Sequence, residues 1–219
     1  MSAPALWAGE WERIARAGHL LHAAGLTPGT TGNVSVRRDD RILTSGTGTR
    51  LGALGEDDWS EIDLDGAPVS GIRATKESAL HAGVYRSRPD VGAIVHLHSP
   101  AALAVSCLSG LAETEPLPAY TPYYAMRVRG LRLVDYFRPG HADLAGAVVA
   151  AVENADAALL RRHGLVTVGA DLAEAVAAAE ELEANCELHL RLWDKPVEPL
   201  LPHEVDELRP PRPSAGGTR

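Results

Sequence analysis

His96 and His98 stand one residue apart in the apolar run Ala93-Ile94-Val95-His96-Leu97-His98, and His163 lies far downstream in Leu160-Arg161-Arg162-His163-Gly164. Side chains two positions apart on a strand share a face, so both rings of the pair can reach one ion. Neutral imidazole is a ligand for Zn²⁺ and similar metals. Three protein ligands leave a coordination position open, as a catalytic rather than a structural metal requires. Glu77 follows Thr75 and Lys76 at the start of a helical segment, where a carboxylate is stabilised as the anion. It is a candidate general base, or a metal ligand before substrate arrives. The plainer reading is a good helix-start residue.

Three small polar clusters accompany this set: Gly32-Asn33, Thr47-Gly48 and Thr75-Lys76. Glycine lets backbone approach a ligand closely, and threonine hydroxyls and exposed amides donate to phosphate oxygens. The third cluster sits at a helix N-terminus, a natural anion site, and Lys76 adds a point charge. None has the Walker or dinucleotide pattern, and each taken alone also reads as turn chemistry.

The elements that must position these residues follow from periodicity. Glu10 to Ala24 reads as a helix with Trp11, Ile14 and Leu21 on one stripe and Gly25 as its stop. Asn33 to Arg37 alternates as a strand, Asp39-Asp40 supplies a turn, and Ile42-Leu43-Thr44 begins a return strand. Glu61 to Leu64 is a short strand. Thr75 is placed to cap a helix over about residues 77–86, closed by Pro89-Asp90. The histidine strand and a helix from about Pro100 to Cys107 come next. Leu117 to Phe137 reads as a loop and a strand, and His141 to Val152 as a helix. Ala157–Leu160 and Leu165–Val168 are strands flanking His163. Asp171 opens a long last helix, with Glu174 as capping-box partner and a stripe running from Leu172 through Val176, Ala179, Leu182, Cys186 and Leu190 to Trp193. The pattern predicts a mixed sheet flanked by helices and no second core.

Composition narrows the classes. The chain has 219 residues, 45% hydrophobic and 23% charged, the balance of one globular domain. A net charge of −8 offers no basic footprint for nucleic acid or an anionic membrane. Cys107 and Cys186, both in apolar surroundings, read as buried reduced cysteines of a cytoplasmic protein. The N-terminus lacks the pattern of a signal peptide, and no apolar stretch approaches the ~20 residues that cross a bilayer. A catalytic domain is expected over residues 1–208, with a disordered Pro- and Gly-rich tail over 209–219.

Taken together the chain resembles the class II aldolase/adducin family. The matching stretches are Gly29-Thr30-Thr31-Gly32-Asn33-Val34-Ser35-Val36-Arg37, Thr47-Gly48, Glu77-Ser78-Ala79-Leu80-His81, Tyr85-Arg86-Ser87-Arg88-Pro89-Asp90, His96-Leu97-His98 and His163-Gly164-Leu165. They occur in the family's order over about residues 10–195. The resemblance implies a three-layer α/β/α fold with a central mixed, mainly antiparallel sheet. It also implies a homotetramer with active sites between subunits. Zn²⁺ would sit on His96, His98 and His163, with Mn²⁺ as an alternative. Glu77 would ligate the resting metal and then move protons. Gly32, Asn33, Thr47, Gly48, Thr75 and Lys76 fall where the family binds substrate phosphate, although the family usually has two serines where this chain has Thr75 and Lys76.

The implied activity is a zinc-dependent carbon–carbon lyase acting on a small phosphorylated sugar or sugar acid. The leading expectation is retro-aldol cleavage of a short phosphorylated ketose, similar to L-fuculose 1-phosphate, to dihydroxyacetone phosphate and an aldehyde through a metal-stabilised enediolate. The alternative is the 3-oxo-tetronate 4-phosphate decarboxylase branch, giving dihydroxyacetone phosphate and CO₂. Val95-His96-Leu97-His98-Ser99, Thr121-Pro122-Tyr123-Tyr124-Ala125-Met126-Arg127-Val128 and Tyr136-Phe137-Arg138-Pro139-Gly140 resemble that branch. The epimerase branch is similar to an aspartate version at position 77. A catalytic tyrosine is expected in the middle segment, reaching a neighbouring subunit. Tyr123 is the choice, with Tyr120 and Tyr124 as rivals. A non-catalytic adducin-like interaction module is the remote alternative, and the complete His96, His98, His163 and Glu77 set argues against it.

Overall fold

The structure is a computed structural model and describes residues 5–7 and 9–209. Helix α1 (Glu10–Ala23) precedes strands β1 (Asn33–Arg38), β2 (Arg41–Ser45), β3 (Trp59–Asp63) and β4 (Pro68–Gly71). Helix α2 (Ser78–Ser87), strand β5 (Ala93–Leu97) and helices α3 (Pro100–Ser106) and α4 (Pro122–Arg127) follow. Strand β6 (Leu131–Val134), helix α5 (Ala142–Val152), strands β7 (Ala157–Leu160) and β8 (Gly164–Gly169), and helices α6 (Leu172–Leu192) and α7 (Pro202–Leu208) complete the chain.

The strands form one eight-stranded sheet in the order β4-β3-β2-β1-β5-β8-β7-β6. Every neighbouring pair is antiparallel except β6 with β7. The expected α/β/α fold with a mixed, mainly antiparallel sheet is therefore what the chain adopts.

Alternation along the strands builds the layers. On β1, Val34 and Val36 join one apolar cluster with Trp11, Leu43, Val95, Leu165 and Leu182. On the other face Ile42, Ile94, Val166 and Leu160 pack with Leu80, Val84, Leu144 and Val148. Helices α1, α3, α4 and α6 thus cover one face, and α2 with α5 the other. The single expected core is in fact two half-cores divided by the sheet, because the central strands are buried on both sides.

The β1–β2 hairpin turns at Asp39 and Asp40, with Asp39 at φ 54° and Arg38 paired to Arg41, as a two-residue loop requires. Helix α1 buries Trp11, Ile14 and Leu21 and stops at Gly25, where φ is +79°.

Several elements differ from the sequence-based expectation. The segment read as a loop and a strand contains α4, started by Thr121, whose hydroxyl accepts from the Tyr124 N–H, and by Pro122 in the first turn. Edge strand β4 and helix α7 were not anticipated. The stripe on α6 does not reach Trp193, which is 63% exposed beyond the helix end. Cys186 is buried as expected, but Cys107 is exposed. Of the tail expected to be disordered, residues 210–219 lie outside the described residues. Arg209 is held by Glu115 and the Val128 carbonyl.

Candidate metal centre

Strand β5 presents His96 on the same face as Ile94, and His98 follows one residue beyond the strand's end. His163 arrives from the β7–β8 turn. Its two approaches to the pair are set by backbone: β8 is registered to β5 at Leu165 opposite Leu97, and the His163 N–H bonds the Leu160 carbonyl at 3.0 Å. The ring centroids lie 4.9 Å (His96 to His98), 5.0 Å (His96 to His163) and 4.7 Å (His98 to His163) apart. One ligand nitrogen from each falls within 4.8 Å of the others.

Gly164 makes this closeness possible. A Cβ there would lie 2.1 Å from the Leu97 carbonyl oxygen. Gly164→Ala is expected to part β8 from β5 at this point and lower stability by about 2–4 kcal/mol, as overpacking and strained backbone do. Denaturant unfolding of the variant checks this.

Glu77, expected as the first residue of the helix, stands instead at the N-cap position, one residue before α2 begins at Ser78, and its N–H bonds the Thr75 hydroxyl at 3.3 Å. Its carboxylate does not cap the helix. It turns instead to the histidines, with Oε2 3.2 Å from His96 Nε2 and Oε1 3.3 Å from His163 Nε2. Asn33, at the start of β1 and paired with His96, donates Nδ2 to Oε2 at 2.8 Å.

The electrostatics favour neutral His96 and His98 rings beside an anion. Burial alone would raise the Glu77 pKa, but His96, His163 and Asn33 outweigh it and hold the carboxyl well below the usual carboxylate range. Burial pushes His96 down against the opposing pull of Glu77. Burial, helped by His96 and His163, lowers His98 to about 3. Neutral imidazole is the ligating form.

This donor set fits a divalent cation. His96 Nδ1 lies 2.8 Å from the Leu165 carbonyl, which can only accept, so Nδ1 carries the proton and Nε2 offers its lone pair. That nitrogen faces His98 Nε2 at 3.0 Å. His163 Nε2 and Glu77 Oε1 are buried and make no hydrogen bond. Unpartnered buried polar atoms are costly, and a shared cation would answer all of them at once.

The same cavity gathers the three polar clusters. A cleft of about 250 Å³ is lined by residues that include Gly32, Asn33, Thr47, Gly48, Thr75 and Lys76, together with Glu77, His98 and His163. The Thr47 N–H bonds the Arg73 carbonyl at 2.9 Å, and Gly46 bridges to Ala74, so one loop is laid beside the next. At Gly32, φ is +81° and a Cβ would sit 2.9 Å from the His96 carbonyl oxygen, a position for glycine. Thr30, Thr31, Gly46 and Pro139 also line the cavity and were not singled out beforehand.

Tyr123 does not line this cavity. It lies on α4, 66% exposed. Of its rivals, Tyr120 bonds His189 through its hydroxyl at 2.9 Å, and Tyr124 is fully buried. A further buried polar side chain beside the site went unassigned in sequence. His81, one helical turn after Glu77, lies beyond Asn33 and contacts its Oδ1. Spacing of four on a helix was the available signal.

The chain belongs to the class II aldolase and adducin family: the class II aldolase and adducin N-terminal domain model matches residues 12–190. It is 36% identical to 3-oxo-tetronate 4-phosphate decarboxylase of Haemophilus influenzae, over 90% of this chain and 94% of that one. It is 37% identical to L-fuculose phosphate aldolase of Methanococcus maripaludis, over 78% of this chain and 91% of the relative. The solved structure of YgbL from Escherichia coli superposes with a TM-score of 0.87 at 35% identity, covering 90% of this chain and 96% of that chain. These relatives are lyases, and this chain is an enzyme of that kind. No helix among the described residues is long and apolar enough to cross a membrane.

Proposed function

We propose that this protein is a divalent-metal-dependent carbon–carbon lyase that decarboxylates a 3-oxo-tetronate 4-phosphate to dihydroxyacetone phosphate. The observation that carries this reading is the breadth of the likeness to the decarboxylase, 36% identity across 90% of this chain and 94% of the relative. The sequence-based order, with aldol cleavage first, is thereby reversed. Retro-aldol cleavage of a phosphorylated ketose stays as the second reading, supported by 37% identity to L-fuculose phosphate aldolase over 78% of this chain.

His96, His98 and His163 would hold Zn²⁺, or Mn²⁺, with Glu77 as a fourth ligand at rest. The cation would supply Lewis-acid stabilisation of negative charge on substrate oxygens. Lys76, the Thr47 and Thr75 hydroxyls and the backbone amides near Gly32, Asn33 and Gly48 would bind the substrate phosphate in an otherwise acidic protein. A cavity of about 250 Å³ falls below the roughly 300–1,000 Å³ of most ligand sites, which suits a short substrate. When the carbon–carbon bond breaks, CO₂ departs and its electron pair stays on the carbon beside the ketone. Glu77, having taken up a proton from solvent, would then deliver it to that carbon. In the aldol reading the hydroxyl of the departing fragment loses its proton to a base as the aldehyde leaves, and Glu77 would protonate the same carbon.

Tyr123, exposed on α4, would complete a neighbouring subunit's site in a homotetramer. Residues 1–208 would act as one catalytic domain of a cytoplasmic enzyme. Incubating the metal-loaded protein with carboxyl-labelled 3-oxo-tetronate 4-phosphate and, separately, L-fuculose 1-phosphate tests the reading. Labelled CO₂ from the first is expected. Aldehyde from the second alone would favour the aldolase, and dihydroxyacetone phosphate from neither would overturn both.

A further inference from the structure

Five buried polar side chains form one hydrogen-bonded row leading away from the metal centre: Glu77, Asn33, His81, Ser35 and Tyr85. Each link has only one possible direction. The Glu77 carboxylate can only accept, so Asn33 Nδ2 donates to Oε2. That turns Asn33 Oδ1 toward His81, where it accepts from Nε2–H. The His81 ring is wholly buried, and burial lowers its pKa to about 4, so it is neutral and keeps a lone pair on Nδ1. The Ser35 hydroxyl donates to that nitrogen at 2.7 Å and accepts from the Tyr85 hydroxyl at 2.8 Å. Donors therefore all point toward the carboxylate, and bonds in such a row polarise one another.

The row also distinguishes the two oxygens of Glu77. Oε2 is held by Asn33, while Oε1 makes no hydrogen bond and lies on the His163 side. An Asn33 amide turned the other way would set Oδ1 against Oε2 and Nδ2 against the His81 N–H. Two acceptors would then meet at the carboxylate, which forbids that arrangement, and the His81 N–H closing on Oδ1 braces the one that remains.

We propose that His81 is a positioning residue: its Nε2–H braces the Asn33 amide that holds Oε2 of Glu77, so that Oε1 is left as the oxygen that transfers the proton. This rests on the reading of Glu77 as the proton-transferring group. It also assigns the Asn33 side chain to Glu77 and leaves its backbone for the phosphate.

His81→Phe keeps most of the buried volume and removes both ring nitrogens. The measurement is hydrogen–deuterium exchange at the hydroxymethyl carbon of dihydroxyacetone phosphate by the metal-loaded full chain, with metal content recorded alongside. The kcat for exchange is expected to fall by about 10–100-fold, the usual effect of losing a supporting partner. KM and metal content stay at their wild-type values. His81→Gln, which can restore a donor to Asn33 Oδ1, is expected to regain most of the loss. Ser35→Ala, a smaller change that frees the His81 tautomer, is expected to lower kcat in the same direction, and decides the matter should His81→Phe fail to fold. Wild-type kcat in both Ser35→Ala and a folded His81→Phe overturns the proposal, as does a loss confined to KM. Absence of exchange in the wild-type protein would instead sink the underlying reading of Glu77.

Discussion

Replacing His96 with alanine is expected to strip the protein of divalent metal and to lower turnover by about a thousandfold, the worth of several kcal/mol of charge stabilisation. His96 carries this weight because it is the most constrained of the three rings. It is fully buried on a central strand, and the Leu165 carbonyl fixes its tautomer through Nδ1. The lone pair on Nε2 is thereby aimed before any ion arrives, so little ordering remains to oppose binding. His98 lies beyond the strand end and is only partly buried, so His98→Ala should weaken metal binding less. Elemental analysis of purified variants, with thermal melts to separate folding from binding, reads the result. Stoichiometric metal and undiminished turnover in the His96 variant would remove it from the ligand set. A wild-type protein that takes up no metal would favour the adducin-like interaction module.

What was legible in the sequence depends on how local the signal was. The His96–His98 pair announced itself because strand spacing alone puts both rings on one side. The hairpin at Asp39-Asp40 and the Asp171 cap, which accepts from the Glu174 N–H at 2.9 Å, are likewise set by neighbours in the chain. Helix α4 was missed although Thr121-Pro122 is a start signal, because the aromatic residues and prolines around it outweighed six helical residues. Strand β4, with Pro68 and Gly71 in four residues, reads as a loop until β3 lies beside it.

Within the site, the phosphate clusters were visible as glycine and threonine pairs, but their meeting was not. It requires β2 to lie beside β1, which brings Thr47-Gly48 toward Gly32-Asn33, and Gly46 to bridge to Ala74, which lays Thr75-Lys76 alongside. Asn33 shows the same limit more sharply. Its neighbours suggest a phosphate loop, whereas its side chain bonds groups 44 and 48 positions away. Nothing in local spacing names such partners. They follow from the packing of α2 over the face of β1 that carries Asn33 and Ser35, and only the folded chain displays it.

Glu77→Gln is the second large effect, and the geometry makes it specific. The variant should fold, since an amide oxygen can accept from Asn33 Nδ2 as Oε2 does now. That bond forces the new NH₂ group into the place of Oε1, beside His163 and the metal position. A group that cannot take up a proton then stands where the proton must be held. Exchange at the hydroxymethyl carbon of dihydroxyacetone phosphate is expected to fall by about 10²–10⁴-fold, the range for losing a general acid or base. Metal affinity should fall as well, because the resting ligand is gone, so the comparison belongs at saturating metal. Under those conditions the three histidines still hold the cation and substrate still binds, so KM should move far less than kcat. Wild-type exchange in a metal-saturated Glu77→Gln protein would place the proton on another group, and the row of donors behind Asn33 would then serve the fold alone.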